Sequence, residues 1–329
     1  MGEALLVAGI DIGSTYTKAV LINHHRDVVA TAIERSGYKP HAAAQKVYDG
    51  LLANGQVDRD AVSYVAATGY GRYMVPFRHA QITELTCHAL ATGYYFPKVR
   101  TILDIGGQDI KAISIDDQGR VRAFRLNDKC AAGTGAFVEK TARYLGLTTA
   151  DIAPYALLAT DPVALSSVCA VFAESEVINH LSSGVAAENI VAGSIKTLAG
   201  RAVQLMRRVG LEPDFALAGG MTQNGAMVSA LEEVLGSPLH VAPNGLGQLN
   251  GAFGASLLGL RRVERLIAEG KPLPEPAGNP SEELGATGTT ARRRWSTFVR
   301  VPSALSEPCT EAGGCPIFIS DLTVKPQTA

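Results

Sequence analysis

The sequence predicts an α/β protein made of two duplicated domains that face a shared cleft. Two stretches carry this prediction, residues 11–18 (DIGSTYTK) and residues 104–111 (DIGGQDIK). Apolar runs flank both stretches, so each is typical of a strand, a tight glycine turn and a second strand. At one constant offset the Asp, Ile, Gly and Lys positions of the two stretches are identical, which is more than two unrelated hairpins would share. The two halves of the chain are therefore interpreted as duplicates.

Both turns have the residues of a phosphate site. Gly13 and Gly106 leave backbone N–H groups uncovered, and the hydroxyl groups of Ser14 and Thr15 add donors. The aspartate at each strand end suits Mg²⁺ or its water ligands, so two facing hairpins could clamp the β- and γ-phosphates from opposite sides. The alternative is a pair of ordinary glycine hairpins, and the duplication favours the phosphate site.

Composition narrows the class of protein. The chain has 329 residues, is 47% hydrophobic, and carries 30 Lys and Arg against 31 Asp and Glu. This length allows two domains, and the charge balance gives no support for nucleic-acid binding or for a polybasic membrane surface. No export signal and no apolar run of membrane-spanning length is evident, so a cytoplasmic protein is predicted. Five widely spaced cysteines favour reduced thiols or metal ligation over disulfides.

The elements of the first half are predicted in the order βββαβ. After the first hairpin come a third strand over 28–33, a helix over 41–54 that begins after a proline, and a strand over 63–68. A further helix is predicted over 83–90. Cys87 and His88 are adjacent on it and must point apart, so Cys87 is predicted to pack in the core and His88 to lie at the surface.

The second half repeats this plan with a hairpin over 101–115 and a strand over 121–126, and then departs from it. Cys130 and Cys169 each stand just before an amphipathic helix. A helix N-terminus biases a thiol towards thiolate, which is the form that binds metal. Because an iron–sulfur cube or a zinc site requires four ligands, two cysteines would have to be completed by others, most economically across a two-fold axis.

The remaining chain supplies a second ligand element and a tail. Gly219-Gly220 follows a predicted strand over 214–218 and precedes a helix over 226–235, which suits a nucleoside; close packing of strand and helix is the alternative. Small residues over 247–262 predict a closely packed helix that returns to the first domain. The domains are therefore predicted as 1–110 with about 246–270, then 111–245, then a partly irregular extension over 271–329, in which Cys309 and Cys315 match no metal-binding spacing.

These motifs resemble a known superfamily. The hairpins at Asp11 and Asp104, with Gly219-Gly220, resemble the acetate kinase, sugar kinase, heat-shock chaperone and actin ATPases, whose duplicated domains are ribonuclease-H-like. Residues 127–135 (NDKCAAGTG) and 171–178 (VFAESEVI) are similar to the activators of 2-hydroxyacyl-CoA dehydratases and the ATP-binding subunits of benzoyl-CoA reductase. This similarity runs from about residue 6 to 260 and includes residues 67–72 and 248–252.

The resemblance implies a role for particular residues. Cys130 and Cys169 would be ligands of one 4Fe-4S cluster shared between two subunits. Asp11 and Asp104 would be catalytic, with Gln108 orienting the attacking water. Contacts to ATP or ADP with Mg²⁺ would come from Gly13, Ser14, Thr15, Lys18, Gly106, Gly107, Gly133, Thr134, Gly135, Gly219, Gly220 and Asn250.

The resemblance also implies an activity, in which closure of the domains on ATP drives a low-potential electron from the cluster to a CoA-thioester dehydratase or reductase. The implied assembly is a homodimer, or a heterodimer with a paralogous subunit, and the implied electron source is a ferredoxin or a flavodoxin. Two alternatives stay open, a small-molecule kinase of the same superfamily and a chaperone-like ATP switch without redox chemistry. The sequences around Cys130 and Cys169 argue against both.

Overall fold

The first half of the protein forms a mixed five-stranded sheet. The computed structural model describes residues 5–127, 134–165 and 170–278, with the side chains of all of these except 170–174. The first sheet has the order β3-β2-β1-β4-β5. Its strands are β1 (Leu6–Ile12), β2 (Tyr16–Asn23), β3 (Val28–Arg35), β4 (Val62–Thr68) and β5 (Ala80–Gln81). β1 pairs antiparallel with β2 and parallel with β4, which places the first predicted turn at the β1–β2 connection.

The second half forms a sheet of the same topology. Read from the corresponding edge, its order is β8-β7-β6-β9-β10. The strands are β6 (Thr101–Ile105), β7 (Ile110–Ile115), β8 (Val121–Asn127), β9 (Phe215–Ala218) and β10 (Leu239–Val241). The α/β class and the duplication are confirmed. The second sheet begins at Thr101, however, and β7 begins at Ile110, so the predicted boundary after residue 110 falls within β7.

Helices flank both sheets. They are α1 (Pro40–Gly55), α2 (Glu84–Tyr95), α3 (Gly135–Tyr144), α4 (Ile152–Leu157), α5 (Ala170–Ser182), α6 (Ala187–Arg207), α7 (Gly225–Leu235) and α8 (Asn250–Ala268). The sequence patterns above did not predict α6. One face of this helix is buried in the core beside β6, β7 and α7, so it closes one side of the second sheet. None of the described helices is long and apolar enough to cross a membrane.

Helix α8 packs against the first sheet at very short range. A Cβ atom on Gly9 of β1 would collide with the carbonyl oxygen of Ala252, and one on Gly254 would collide with the backbone of Cys87. Glycine is therefore required at both crossings, because no side chain fits between the backbones. The predicted close packing of this small-residue helix is confirmed.

Helix α2 lies between the two sheets. Cys87 and Ala91 belong to the core that α8 covers, whereas Ala89 packs with Ile102 and Ile113 of the second sheet. Both sides of the helix are therefore buried. The prediction that Cys87 packs in the core is confirmed, but the prediction that His88 lies at the surface is wrong, since His88 is only 5% exposed. Two adjacent residues do point apart, but here both directions lead into protein.

Candidate functional site

The two glycine turns meet across a cleft between the sheets. In the first turn the N–H of Gly13 donates to the carbonyl oxygen of Tyr16 at 3.2 Å, and in the second the N–H of Gly106 donates to that of Asp109 at 2.9 Å. The backbone of the turn is thus duplicated as well as its sequence. A Cβ atom on Gly107 would collide with the side chain of Thr15, so the tips of the two turns are in contact.

One end of the cleft is charged. Lys18 Nζ lies 3.2 Å from Asp11 Oδ2, and Lys111 Nζ lies 3.1 Å from Asp104 Oδ2. Lys111 also contacts Glu84 at 2.9 Å and Asp109 at 2.6 Å. Both hairpins therefore present a carboxylate and an ammonium group to the same space. A polyphosphate with a divalent cation needs both kinds of group.

Burial and charge compete at the second hairpin. Burial alone would raise the pKa of Asp104, but the neighbouring His88 and Lys111 favour the carboxylate and lower this pKa to about 2. Burial alone would lower the pKa of Lys111, yet the carboxylates of Asp104 and Glu84 hold it well above its usual value. The charges of the second hairpin are therefore kept although they lie inside the protein.

A glycine in the left-handed region supports each aspartate. Gly69 follows β4 with φ +91°, and Gly219 follows β9 with φ +89°. A Cβ atom would stand 2.5 Å from Asp11 Oδ1 at Gly69 and 2.6 Å from Asp104 Oδ1 at Gly219. Gly219, which was predicted to lie at the adenosine, lines the charged end of the cleft, and the space that a side chain there would need is taken up by Asp104 and Ile105. Gly220 differs, because an added Cβ there meets no protein atom within 4 Å.

The other end of the cleft is less charged. It adjoins the charged end through Thr15, Gly107 and Gly220, which line both. Its walls come from α3, α4 and the short 3₁₀ helix after β9, with Val138, Glu139, Ala150, Ile152, Ala153 and Met221 among the lining residues. A polar end joined to a less polar pocket suits a nucleotide, which has a charged phosphate part and a less polar nucleoside.

Helix α3 begins directly on the second phosphate turn. The N–H of Gly135 donates to the carbonyl oxygen of Gly106 at 3.1 Å, and the N–H of Ala136 donates to that of Gly107 at 2.9 Å. Gly135 lines the less charged pocket, as the prediction of a cofactor contact requires, but its N–H already has this partner. Thr134 is fully buried.

The structure brings most of the predicted site residues together. Of the predicted residues, those that line the charged end are Asp11, Gly13, Ser14, Thr15, Lys18, Asp104, Gly106, Gly107, Gln108, Gly219 and Gly220. Asn250 was predicted to contact the nucleotide, but it is buried and its amide points to His88 and Thr92. Gly133 and the two predicted metal ligands, Cys130 and Cys169, lie outside the described residues, as do Cys309 and Cys315.

Sequence reasoning missed four charged or titratable residues of the cleft, namely Glu84, His88, Asp109 and Lys111. Lys111 could have been found, because it is the duplicate of Lys18. Glu84 and His88 are one turn apart on α2 and become site residues only because that helix lies between the sheets. Within the described residues no group of three or more His, Cys, Asp or Glu could hold a metal ion. Two carboxylates beside phosphate oxygens nevertheless fit Mg²⁺, which is often bound in this way.

Two sheets of one topology, with paired phosphate turns between them, define the actin-like ATPase class. Within this class, residues 8–259 match the sequence profile of the BadF/BadG/BcrA/BcrD ATPase family. The chain belongs to that family.

Similar proteins include curated relatives and a solved structure. The chain is 42% identical over 257 residues to the activator of lactoyl-CoA dehydratase of Anaerotignum propionicum, with 78% of this chain and 98% of the relative covered. It is 34% identical over 274 residues to a subunit of the benzoyl-CoA reductase of Thauera aromatica, covering 81% and 97%. The activator of 2-hydroxyisocaproyl-CoA dehydratase from Clostridium difficile, solved with bound ADPNP, is 35% identical and superposes with a TM-score of 0.78, covering 82% and 99%.

Proposed function

We propose that this protein is an ATP-hydrolysing electron donor that delivers a low-potential electron to a CoA-thioester enzyme, either a 2-hydroxyacyl-CoA dehydratase or a benzoyl-CoA reductase. The observation that carries the proposal is the pair of hydrogen bonds from the first turn of α3 to Gly106 and Gly107. They join the phosphate turn to the helix that follows the segment containing Cys130. The names of the relatives supply the class of partner enzyme.

In this proposal ATP lies across both ends of the cleft. The hydroxyl groups of Ser14 and Thr15 and the N–H groups at the tips of the turns bind the phosphates, and Lys18 and Lys111 supply positive charge. The N–H groups of Gly13 and Gly106 are not among them, since they already donate within the turns. Asp11 and Asp104 hold Mg²⁺ or its waters, which places the cation between the hairpins. Gly220 admits the nucleoside because no side chain fills the space above it.

Two residues are candidates for orienting the attacking water. Gln108 is exposed at the tip of the second turn, and Glu84 at the start of α2 lines the same end of the cleft. We propose Glu84 as a candidate in addition to the predicted Gln108, because a carboxylate can also accept the proton of the water. Glu84→Gln and Gln108→Ala should be compared for ATP turnover. Substitution of the residue that orients the water should lower kcat by roughly a hundredfold or more, with little change in KM.

The redox centre is proposed at Cys130 and Cys169, with two further thiolates from a second subunit. When bound, a 4Fe-4S cluster supplies reversible one-electron transfer whose potential depends on exposure and hydrogen bonding. Helix α5 begins at the residue after Cys169, and α3 and α5 contact each other. A shift of the turn at Gly106 on nucleotide binding would therefore be transmitted through α3 to α5. The proposal includes a cytoplasmic location and a ferredoxin or flavodoxin as the source of the electron.

Anaerobic purification tests the redox centre. The protein should be brown and hold about four irons per dimer, as one shared cluster requires. Cys130→Ser and Cys169→Ser should each lose the colour and still bind ATP. Cys309→Ser and Cys315→Ser are the matched controls and should retain the spectrum of the unaltered protein. Full iron content in either of the first two variants would contradict the assignment.

Electron delivery tests the coupling. Reduced protein should activate the dehydratase or reductase with Mg-ATP but not with ADP. Ala136→Pro removes one of the two hydrogen bonds to the turn, at a first-turn position where proline is tolerated. We expect this variant to keep its iron and its ATP turnover but to activate poorly, whereas Ala136→Ser should behave as the unaltered protein. Equal activation with and without ATP would show that electron delivery is not coupled to ATP turnover.

A further inference from the structure

Helix α2 places an imidazole behind the second phosphate turn. His88 lies one helical turn after Glu84 and is buried. Its Nε2 atom is 3.5 Å from Oδ2 of Asp104, and its Nδ1 atom is 3.1 Å from the amide nitrogen of Asn250. The imidazole is thus held between α8, which packs on the first sheet, and the aspartate that ends a strand of the second sheet.

The surroundings of Asn250 fix the tautomer of this histidine. The Asn250 amide nitrogen also lies 3.4 Å from the carbonyl oxygen of His88 and 3.2 Å from Oγ1 of Thr92. A carbonyl oxygen can only accept, so the NH₂ end of Asn250 must face it. The same NH₂ group lies 3.1 Å from Nδ1 of His88, and an unprotonated Nδ1 can accept one of its two hydrogens. A neutral ring then carries its proton on Nε2, which lies 3.5 Å from Oδ2 of Asp104.

His88 also lies close to the first hairpin. A Cβ atom added at Gly251 would stand 2.9 Å from Oδ2 of Asp11 and 3.5 Å from Nε2 of His88. Gly251 therefore faces the space between the first aspartate and the imidazole. The imidazole therefore lies near both phosphate hairpins. Its contact at Nδ1 comes from Asn250 of α8 and not from either turn.

We propose that His88 is a positioning residue for ATP turnover, which donates from Nε2 to Asp104 and so fixes the carboxylate of the second hairpin relative to α2 and α8. The inference rests on the proposed function of the cleft as an ATP site. Asn250 acts through His88, because it sets the tautomer. A donor that orients a carboxylate for the reaction affects the rate of turnover more than the binding of ATP.

Two substitutions test the Nε2 and Nδ1 positions of the imidazole separately. His88→Gln retains an N–H donor at the ε position towards Asp104 but loses the acceptor for Asn250. His88→Asn retains an acceptor at the δ position but loses the donor to Asp104. We expect His88→Asn to lower kcat about ten- to a hundredfold with KM nearly unchanged, and His88→Gln to remain within about threefold of the unaltered protein. Thermal unfolding of both variants checks that they are folded.

The outcomes are distinguishable. Equal losses of kcat in the two variants, or no loss in either, would mean that His88 only fills space, and would overturn the inference while ATP turnover by the unaltered protein still supported the proposed function. No turnover by the unaltered protein would overturn the proposed function and the inference with it.

A measurement on the unaltered protein covers the case in which a variant fails to fold. Nitrogen NMR of the seven histidines, labelled in the full chain, should show a signal from His88 protonated at Nε2, beside that of His79, whose Nδ1 accepts from the N–H of Val65. This signal should be absent from the spectrum of His88→Gln or of His88→Phe. A ring protonated at Nδ1 for His88 would overturn the inference.

Discussion

The two phosphate hairpins share a backbone and differ in what surrounds them. Each has the same turn hydrogen bond, and each has its aspartate beside a left-handed glycine. In the first hairpin Lys18 pairs with Asp11. In the second, Lys111 has three carboxylate partners and Asp104 has His88 as well. The extra groups Glu84 and His88 come from α2, and Asp109 comes from the second turn, where the first turn has Tyr16. The helix between the sheets and the sequence of the turn therefore both make the hairpins unequal.

The largest expected effect concerns the two aspartates. Asp104→Asn should raise the barrier to ATP turnover by about 3–4 kcal/mol and Asp11→Asn by about 2 kcal/mol, because Asp104 organises Lys111 and His88 as well as the cation. Steady-state ATP hydrolysis measures both, and ADP affinity should change much less. Equal slowing in the two variants would show that the additional contacts of the second hairpin do not matter for the reaction.

Substitution of the two lysines tests the difference between the hairpins by its effect on the free energy of unfolding. Lys111→Met leaves three carboxylates without their shared partner and should lower the free energy of unfolding by about 3–5 kcal/mol. Lys18→Met leaves one carboxylate and should cost about 1–2 kcal/mol. Urea unfolding of the two variants and of the unaltered protein gives the comparison. A larger loss for Lys18→Met would reverse the ranking of the hairpins.

Substitution of the two neighbouring glycines after β9 distinguishes an effect on folding from an effect on ATP binding. Gly219→Ala should lower the free energy of unfolding by about 1–3 kcal/mol, because its φ is positive and the added Cβ meets Asp104 and Ile105. Gly69→Ala should behave alike, since Gly69 is the counterpart of Gly219. Gly220→Val should instead unfold normally and bind ATP weakly, as measured by calorimetry. Tight ATP binding by Gly220→Val would show that the nucleoside does not lie beside Gly220.

The smallest effect concerns the loops that follow β2 and β7. Asn23 accepts from the N–H groups of His25 and Asp27, and Asp116 accepts in the same way from Gln118 and Arg120. Burial would raise the pKa of Asp116, but the hydrogen bonds from Arg120 and Gln118 lower it.

Because the pKa of Asp116 is lower in the folded state, its contribution is present above the usual value of 3.8 and is lost as the pH falls through the folded value. The unaltered protein should therefore lose about 0.5 kcal/mol more than Asp116→Asn between pH 7 and pH 3, as measured by urea unfolding. Asn23→Asp should not create this dependence in the first loop, because the Asn23 amide donates to Oδ2 of Asp27 at 3.0 Å and an aspartate there would face a second carboxylate. Identical pH profiles for all three proteins would show that the two loops do not differ in this respect.

Much of the fold follows from the sequence because the turns are local. A glycine turn between apolar runs is specified by adjacent residues, and the repeat of Asp11 to Lys18 at Asp104 to Lys111 then implies the second sheet. The strand pairing confirms this. The boundary was harder to predict, because the second sheet already begins at Thr101, only a few residues after α2, and Ile110 is part of β7.

The missed site residues depend on tertiary structure. His88 was predicted to be at the surface from its adjacency to Cys87, and only the position of α2 between two sheets buries it. Likewise, Asn250 contacts His88 only because α8 packs against α2. Residues that act through a neighbour leave no local pattern, whereas residues of a turn do.

The pairing of each aspartate with a lysine of its own hairpin has a consequence for how ATP is recognised. Asp11 and Asp104 each pair with a lysine, and Glu84 and Asp109 give the cleft more carboxylates than ammonium groups. Magnesium triphosphate offers a cation to the carboxylates and oxygens to the ammonium groups. Binding is then an exchange of partners in which the metal ion offsets the excess of carboxylates. ATP without its metal offers only half of the exchange and should be discriminated against.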